Sequence, residues 1–337
     1  MFSNYPTVNY IGNKLKVSQW IIDKLPIRKG KVLDLFCGGC SMSYKFKQHG
    51  FCVYANDVLY SNFALAKALI ENHKERLKLD NIELEKFYNL KNYLSLQWMV
   101  NKLYFDYEVR ELVSLKNYSQ QLKSYDKFIF LSLLRRAMIR KIPYSRMTMK
   151  WEEIVKFRDE ELSYQKYKRR RAYHNKPFLY HINKEMQTYN LAVFDNQQKN
   201  KAFQMDCLQL IKKFERDKES FDLVYIDPPY PSTMNNYLGF YGGFDKVFEK
   251  ELSKITDFTK KDSFLDNFVL LLNECKKISK VVALSLNNKC TPSVKDIQSE
   301  IQKISKNIMI FEKPHVYKVT GKNNKKIHKE LLMVIIF

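Results

Sequence analysis

Short apolar runs recur along this chain, each ending in a polar or glycine-rich turn and each followed by residues at helical spacing. Lys31-Val-Leu-Asp-Leu-Phe36 is the first, closing on Cys37-Gly38-Gly39-Cys40. Ser41 then sits where an N-cap is expected, for a helix predicted to reach about Gln48, and Gly50 stops it. Phe51-Cys-Val-Tyr-Ala55 reads as the next strand, ending at Asn56-Asp57. From Ser61 to His73 the spacing predicts a helix with Ala64, Leu65, Ala68 and Leu69 on one face. Strand, helix, strand, helix in this order predicts a parallel sheet.

The alternation lapses between about Lys74 and Asn200, a polar, Tyr-rich stretch of helical character whose clearest helix runs from Asp126 to Lys141 (Phe128, Leu131, Leu134, Met138) and stops before Pro143. Sheet-like patterning returns at Ala202–Asp206, followed by a helix to Phe214 and the strand Asp222–Asp227. A loop is expected around Gly239, Gly242 and Gly243. Then come a helix near Ser263–Ile278, the strand Lys280–Ser285, a helix near Ser293–Ile304, and strands at Ile308–Phe311 and Leu331–Ile336. The pattern predicts one doubly wound α/β sheet built from residues 1–73 and 201–337, interrupted by a helical insertion at 74–200 that is too long for an idle loop.

With 337 residues, 45% of them hydrophobic and 14% aromatic, the chain can bury a substantial core. It carries no apolar run long enough for a membrane span, and its first residues lack the basic-then-apolar pattern of a secretory signal. Six cysteines without such a signal predict free thiols in a reducing cytoplasm. Lys and Arg outnumber Asp and Glu 58 to 36, a net charge of +22. A surplus of that size favours a polyanionic partner, although AT-rich coding drift also enriches Lys, Asn, Ile, Phe and Tyr. Drift would not concentrate the charge. Lys166–Lys176 holds six Lys/Arg and no acid, interleaved with Tyr173, and Arg135, Arg136, Arg140, Lys141 and Arg146 add to it. Cations among aromatics suit phosphate contact plus base stacking. Arg135, Arg136, Arg140, Lys141, Lys168, Arg169, Arg170, Arg171 and Tyr173 are therefore the candidate nucleic-acid contacts.

Candidate chemistry concentrates where strands end. Asp227-Pro228-Pro229-Tyr230 follows an apolar strand, and two prolines cannot continue a sheet. The break leaves a carboxylate, rigid backbone carbonyls and a ring at the carboxyl edge, where open α/β sheets bind ligands. That set suits a planar amine held between acceptors and a stacking face. At the first strand's end, Gly38 and Gly39 let the backbone turn sharply against a ligand. Asp57, nineteen residues after Gly38, has the spacing of a ribose-binding acid. Together they propose an adenosine-bearing cofactor. NAD and S-adenosylmethionine both stay open here; the turn lacks G-x-G-x-x-G, which weighs against NAD, whereas S-adenosylmethionine needs no pyrophosphate cradle. Asp206 is either an acceptor for the adenine amine or the N-cap of the helix opening at Cys207, or both. Cys37 and Cys40 have redox spacing but no second pair to complete a metal site, and packing is the expected role. No metal is expected.

In this order the motifs resemble the S-adenosylmethionine-dependent DNA adenine-N6 methyltransferases of the Asp-Pro-Pro-Tyr type, in the group of deoxyadenosine methylases. Tyr10-Ile11-Gly12-Asn13-Lys14 is similar to that family's amino-terminal motif, Asp34–Gly39 to its glycine turn, with Cys40 standing where the family carries glycine, Asp227–Tyr230 to its catalytic motif, and His328–Leu332 to its closing strand. The resemblance implies a seven-stranded, mostly parallel Rossmann-like methyltransferase sheet. It implies S-adenosylmethionine bound by Tyr10, Lys14, Asp34, Phe36, Gly38, Gly39, Asp57, Asp206 and Cys207. It also implies methyl transfer at Asp227, Pro228, Pro229 and Tyr230 to an adenine flipped from double-stranded DNA, with the insertion recognising the target, and a cognate restriction endonuclease as partner. An RNA or cytosine-N4 methyltransferase, and an inactive DNA-binding subunit of the same fold, are the alternatives. Asp227 in place of the Ser typical of cytosine enzymes favours adenine or guanine.

Overall fold

Seven apolar runs become the strands of one sheet in this computed structural model, which describes residues 4–79, 81–143, 147–168, 172–231, 236–315 and 328–337. The strands are β1 (Lys31–Asp34), β2 (Cys52–Asn56), β3 (Lys201–Phe203), β4 (Leu223–Ile226), β5 (Val281–Asn287), β6 (Asn307–His315) and β7 (His328–Ile336). Their order is β3-β2-β1-β4-β5-β7-β6. The first five run parallel, and β7 is antiparallel to both β5 and β6. The chain winds outward from β1 to β3 on one side and restarts at β4 on the other. The gap between the carboxyl ends of β1 and β4 is thus a topological switch point.

The helices in chain order are α1 (Ser18–Lys24), α2 (Ser41–Gln48), α3 (Tyr60–Ala66), α4 (Leu90–Leu96), α5 (Asp106–Gln121), α6 (Ser124–Arg140), α7 (Trp151–Arg158), α8 (Glu160–Tyr167), α9 (Phe178–Ala192), α10 (Cys207–Arg216), α11 (Tyr237–Phe248), α12 (Lys261–Ile278) and α13 (Val294–Ile304). Strand alternation sends Val32, Val53, Tyr225, Ala283 and Leu332 to one face, packed with residues of α1, α2 and α3. Leu33, Tyr54, Val224, Leu284 and Met333 point to the other, against α10, α12 and α13. Helices on both faces explain why the central strands read as nearly continuous apolar runs. No helix among the described residues is long and apolar enough to cross a membrane.

Between α3 and β3 the chain is helical where described, and its apolar side chains from α5, α6 and α9 join the first face's cluster directly. Helix α6 packs on α3 as well as on α9, so the insertion is seated on the sheet's helical layer.

Three local expectations are corrected. The N-cap position of α2 is Cys40, not Ser41; Cys40 is left-handed at φ +61°, the conformation that glycine adopts without strain. Helix α3 stops at Ala66 and passes into a π turn, Lys67–Glu71, instead of running to His73. The glycines 239, 242 and 243 lie in helix α11, not in a loop. Each glycine there costs about 1 kcal/mol of helix propensity. Phe240, Tyr241, Phe244 and Val247 recur at helical spacing and are all buried, and their burial outweighs that cost. Asp245 on α11 also accepts hydrogen bonds from the Tyr60 and Ser61 backbone N–H groups at the start of α3.

Candidate active site

Parallel pairing of β1 with β4 sets Asp34 beside Tyr225, so Asp227 emerges from β4 at the same edge as the Cys37–Cys40 turn. Asn56 at the end of β2 fastens this edge: its side-chain amide donates to the Leu35 and Met205 carbonyls, and its oxygen accepts from the Met205 N–H. A cavity of about 320 Å³ opens there. All thirteen residues predicted for cofactor and catalysis line it: Tyr10, Lys14, Asp34, Phe36, Gly38, Gly39, Asp57, Asp206, Cys207, Asp227, Pro228, Pro229 and Tyr230. Segments more than two hundred residues apart in sequence thereby face one another across a single cleft.

At the glycine turn, Gly38 has φ +50°, and a Cβ there would lie 2.7 Å from the Tyr10 ring. Its N–H donates to one Asp57 oxygen at 2.8 Å, and the other oxygen accepts from the Leu59 N–H at 2.9 Å. Asp57 therefore shapes the turn in addition to facing the cavity. Asp206 caps α10, accepting from the Leu208 and Gln209 N–H groups, and its second oxygen accepts from the Thr256 N–H. The N-cap alternative holds, and the same contact brings in Ile255–Thr259 as an unforeseen wall of the cavity. Cys37 and Cys40 are buried, with sulfurs 3.7 Å apart. Burial holds the Cys37 thiol well above the usual range, which suits packing and not a reactive thiolate.

The carboxylates are the electrostatic centre. Asp34 is buried; one oxygen accepts from the Ser43 hydroxyl, and the other has no hydrogen-bond partner among the described residues. Burial pushes its carboxyl up to about 7, with Asp227 and Asp57 adding to the rise and the Ser43 hydrogen bond opposing it. Asp227 is raised to about 6 by burial, against the pull of Lys14 and with the push of Glu330. The Lys14 ammonium lies 3.2 Å from Asp227 and 2.8 Å from Glu330, so it is engaged with two carboxylates at the end of β4. Tyr230 is half-buried beside the prolines.

The basic candidates divide. Arg135 is buried, donates to the Val8 carbonyl at 3.0 Å, and lies over the stacked rings of Tyr241 and Tyr10. Arg136 is buried against Asn9 and Glu185. Lys141 is buried with Glu108, which Arg158 also contacts through both carboxylate oxygens. These three are structural cations, and their expected contact with nucleic acid is corrected. Buried charges need partners inside the protein, and each has one or more. Arg140 is partly buried and stacks on Tyr173 at 4.2 Å. Lys168 is exposed. Arg169, Arg170 and Arg171 lie outside the described residues.

Residues 10–299 match the family model for D12 class N6 adenine-specific DNA methyltransferases. The chain is 40% identical to the Type II methyltransferase M2.HphI of Haemophilus parahaemolyticus over 98% of both chains. It is 24% identical to the modification methylase StsI of Streptococcus sanguinis, covering 98% of this chain but only 51% of that one. Among solved structures, that of SMU.776 complexed with SAH overlaps 96% of this chain and 49% of its own at a TM-score of 0.40 and 10% identity. The fold assignment rests on the strand order itself. With its family model spanning most of its length and a full-length relative at 40% identity, the chain belongs to the D12 class N6 adenine-specific DNA methyltransferases.

Proposed function

We propose that this protein methylates the N6 amine of a specific adenine in double-stranded DNA, with the cleft between β1 and β4 divided into a donor half and an acceptor half. The observation that carries this division is that the glycine turn and Asp227–Tyr230 line one cavity. S-adenosylmethionine suits the donor half: a buried Asp34 oxygen with no partner among the described residues is an unused acceptor for a cationic or amino group. When bound, that cofactor supplies a methyl group on a positively charged sulfur.

On the acceptor side, an adenine inside a duplex cannot reach the cleft, so it must be flipped out, at a cost of a few kcal/mol. Tyr230 offers the face on which the extruded ring stacks. Asp227 and the Pro228 carbonyl accept the two N6 hydrogens, which turns the nitrogen lone pair toward the donor half. Bound there, S-adenosylmethionine would supply the methyl group and leave as S-adenosylhomocysteine, and the proton shed by the methylated nitrogen would pass through the Asp227 carboxylate to solvent. Asp227 need not be a strong base for this, because alignment supplies most of the acceleration. Residues 74–200 form the target-recognition part, with Lys168–Arg171, Arg140 and Tyr173 at the DNA. A cognate restriction endonuclease shares the recognised sequence, a reading supported by the relative named as a Type II methyltransferase.

The test is transfer of labelled methyl from S-adenosylmethionine to DNA, followed by digestion to nucleosides. Label in N6-methyldeoxyadenosine is the expected result, and label only in a cytosine nucleoside, or only with RNA as acceptor, contradicts the reading.

A further inference from the structure

Glu330 is a charged residue with no solvent exposure, in a strand whose neighbours are almost all apolar. Because β7 runs antiparallel to β5, its first residues arrive at the carboxyl edge of the sheet, and Asn287 pairs with Glu330 there. One Glu330 oxygen accepts from both the Lys14 ammonium and the Ser285 hydroxyl. Lys14 in turn reaches Asp227. A single buried cation is therefore shared by two carboxylates, and the shorter contact is to Glu330.

We propose that Glu330 is a positioning residue for methyl transfer: as a second counterion, anchored by Ser285, it holds Lys14 at the rear of Asp227, so that the Asp227 carboxylate stays fixed yet only partly neutralised and keeps an oxygen for the adenine amine. Removing Glu330 would take away one of the two carboxylates that share Lys14 and let the ammonium draw more of the charge of Asp227 to itself. A buried ion of this kind is costly unless paired and hydrogen-bonded, and here all three members are. The inference rests on Asp227 being the acceptor of the amine. The groups facing Asp227 are Lys14 from the amino-terminal segment, Glu330 from β7, Asp34 from β1, and Tyr225 from its own strand.

The experiment is steady-state methyl transfer to DNA by full-length protein, wild type and Glu330→Gln, across a range of pH. Glu330→Gln should lower kcat about tenfold or more while leaving the KM for S-adenosylmethionine within about threefold, the pattern of an interaction used in the transition state. The acid limb of kcat/KM should also move to lower pH, since a negative charge that holds the Asp227 proton has gone. An acid limb that stays in place, whatever happens to kcat, overturns the proposal, because a purely structural role would lower the folded fraction without moving it. Should Glu330→Gln fail to fold, Ser285→Ala removes the anchor and leaves every charge. A kcat loss of about threefold at unchanged donor KM then supports the proposal, and wild-type kcat overturns it. If wild-type protein itself puts no methyl on adenine at any pH, the reading of Asp227 has failed instead.

Discussion

Two carboxylates carry the residue-scale account, and both sit where the sequence marks a strand breaking. Asp227 is raised to about 6, and its ionised form is the stronger acceptor for the one amine hydrogen asked of it. The kcat/KM for DNA should therefore fall as pH drops through about 6, read from a pH–rate profile of the free enzyme. Asp34 behaves differently. Its ordinary value is 3.8 and burial lifts it to about 7 in the folded chain, so folding takes up a proton between those values. That contribution is fully present below the lower value and is lost as pH rises through about 7. The melting temperature of wild type relative to Asp34→Asn should therefore decline as pH is raised from about 4 to about 8. A constant difference would show that Asp34 is not buried in the ionised state. S-adenosylmethionine should bind Asp34→Asn at least about tenfold more weakly, about the loss expected from one charge-assisted hydrogen bond. The roles of these carboxylates were approachable from sequence because a strand end exposes whatever polar group follows it. The opposite holds for Glu330: its partners, Lys14 and Ser285, are 316 and 45 residues away, and only its place in an apolar strand hinted at burial.

At the scale of elements, the central strands were legible because burial on both faces leaves runs that nothing else explains, whereas the edge strand β6 is largely exposed. The glycine-bearing helix α11 was not, since glycine weighs toward loops, although Phe240, Tyr241, Phe244 and Val247 already carried helical spacing. The burial of the arginines is hidden in sequence for a related reason: a cation looks the same whether it meets phosphate or folds inward. Arg135 stands four residues after Leu131 and three before Met138, on the apolar stripe of α6, and that spacing was the available signal. Arg135→Ala should destabilise the fold by about 2 to 3 kcal/mol, as expected for a lost buried polar network, and leave the salt dependence of DNA binding unchanged. A shallower salt slope without destabilisation would return Arg135 to the phosphates. In the glycine turn, Gly38→Ala would drive a methyl into Tyr10 at a left-handed position, and donor affinity should fall about tenfold or more while the fold survives.

For the whole molecule, the net charge of +22 and the helical insertion packed on α3 fit the proposal of a sheet that holds the chemistry and an appended layer that meets the polyanion. Charge alone indicated a nucleic acid but not which cations reach it, because several are spent inside the protein. Replacing Lys168–Arg171 by alanine should weaken DNA binding and flatten its salt slope by roughly 0.9 for each phosphate contact removed. An unchanged slope would place that segment elsewhere. The division of the cleft into donor and acceptor halves is tested most directly by the dissociation constant of S-adenosylmethionine for Asp227→Ala, a variant in which methyl transfer should be abolished. A value within about threefold of wild type is expected, since a residue serving the acceptor leaves uniform donor binding intact. Loss of donor binding in parallel with activity would contradict it.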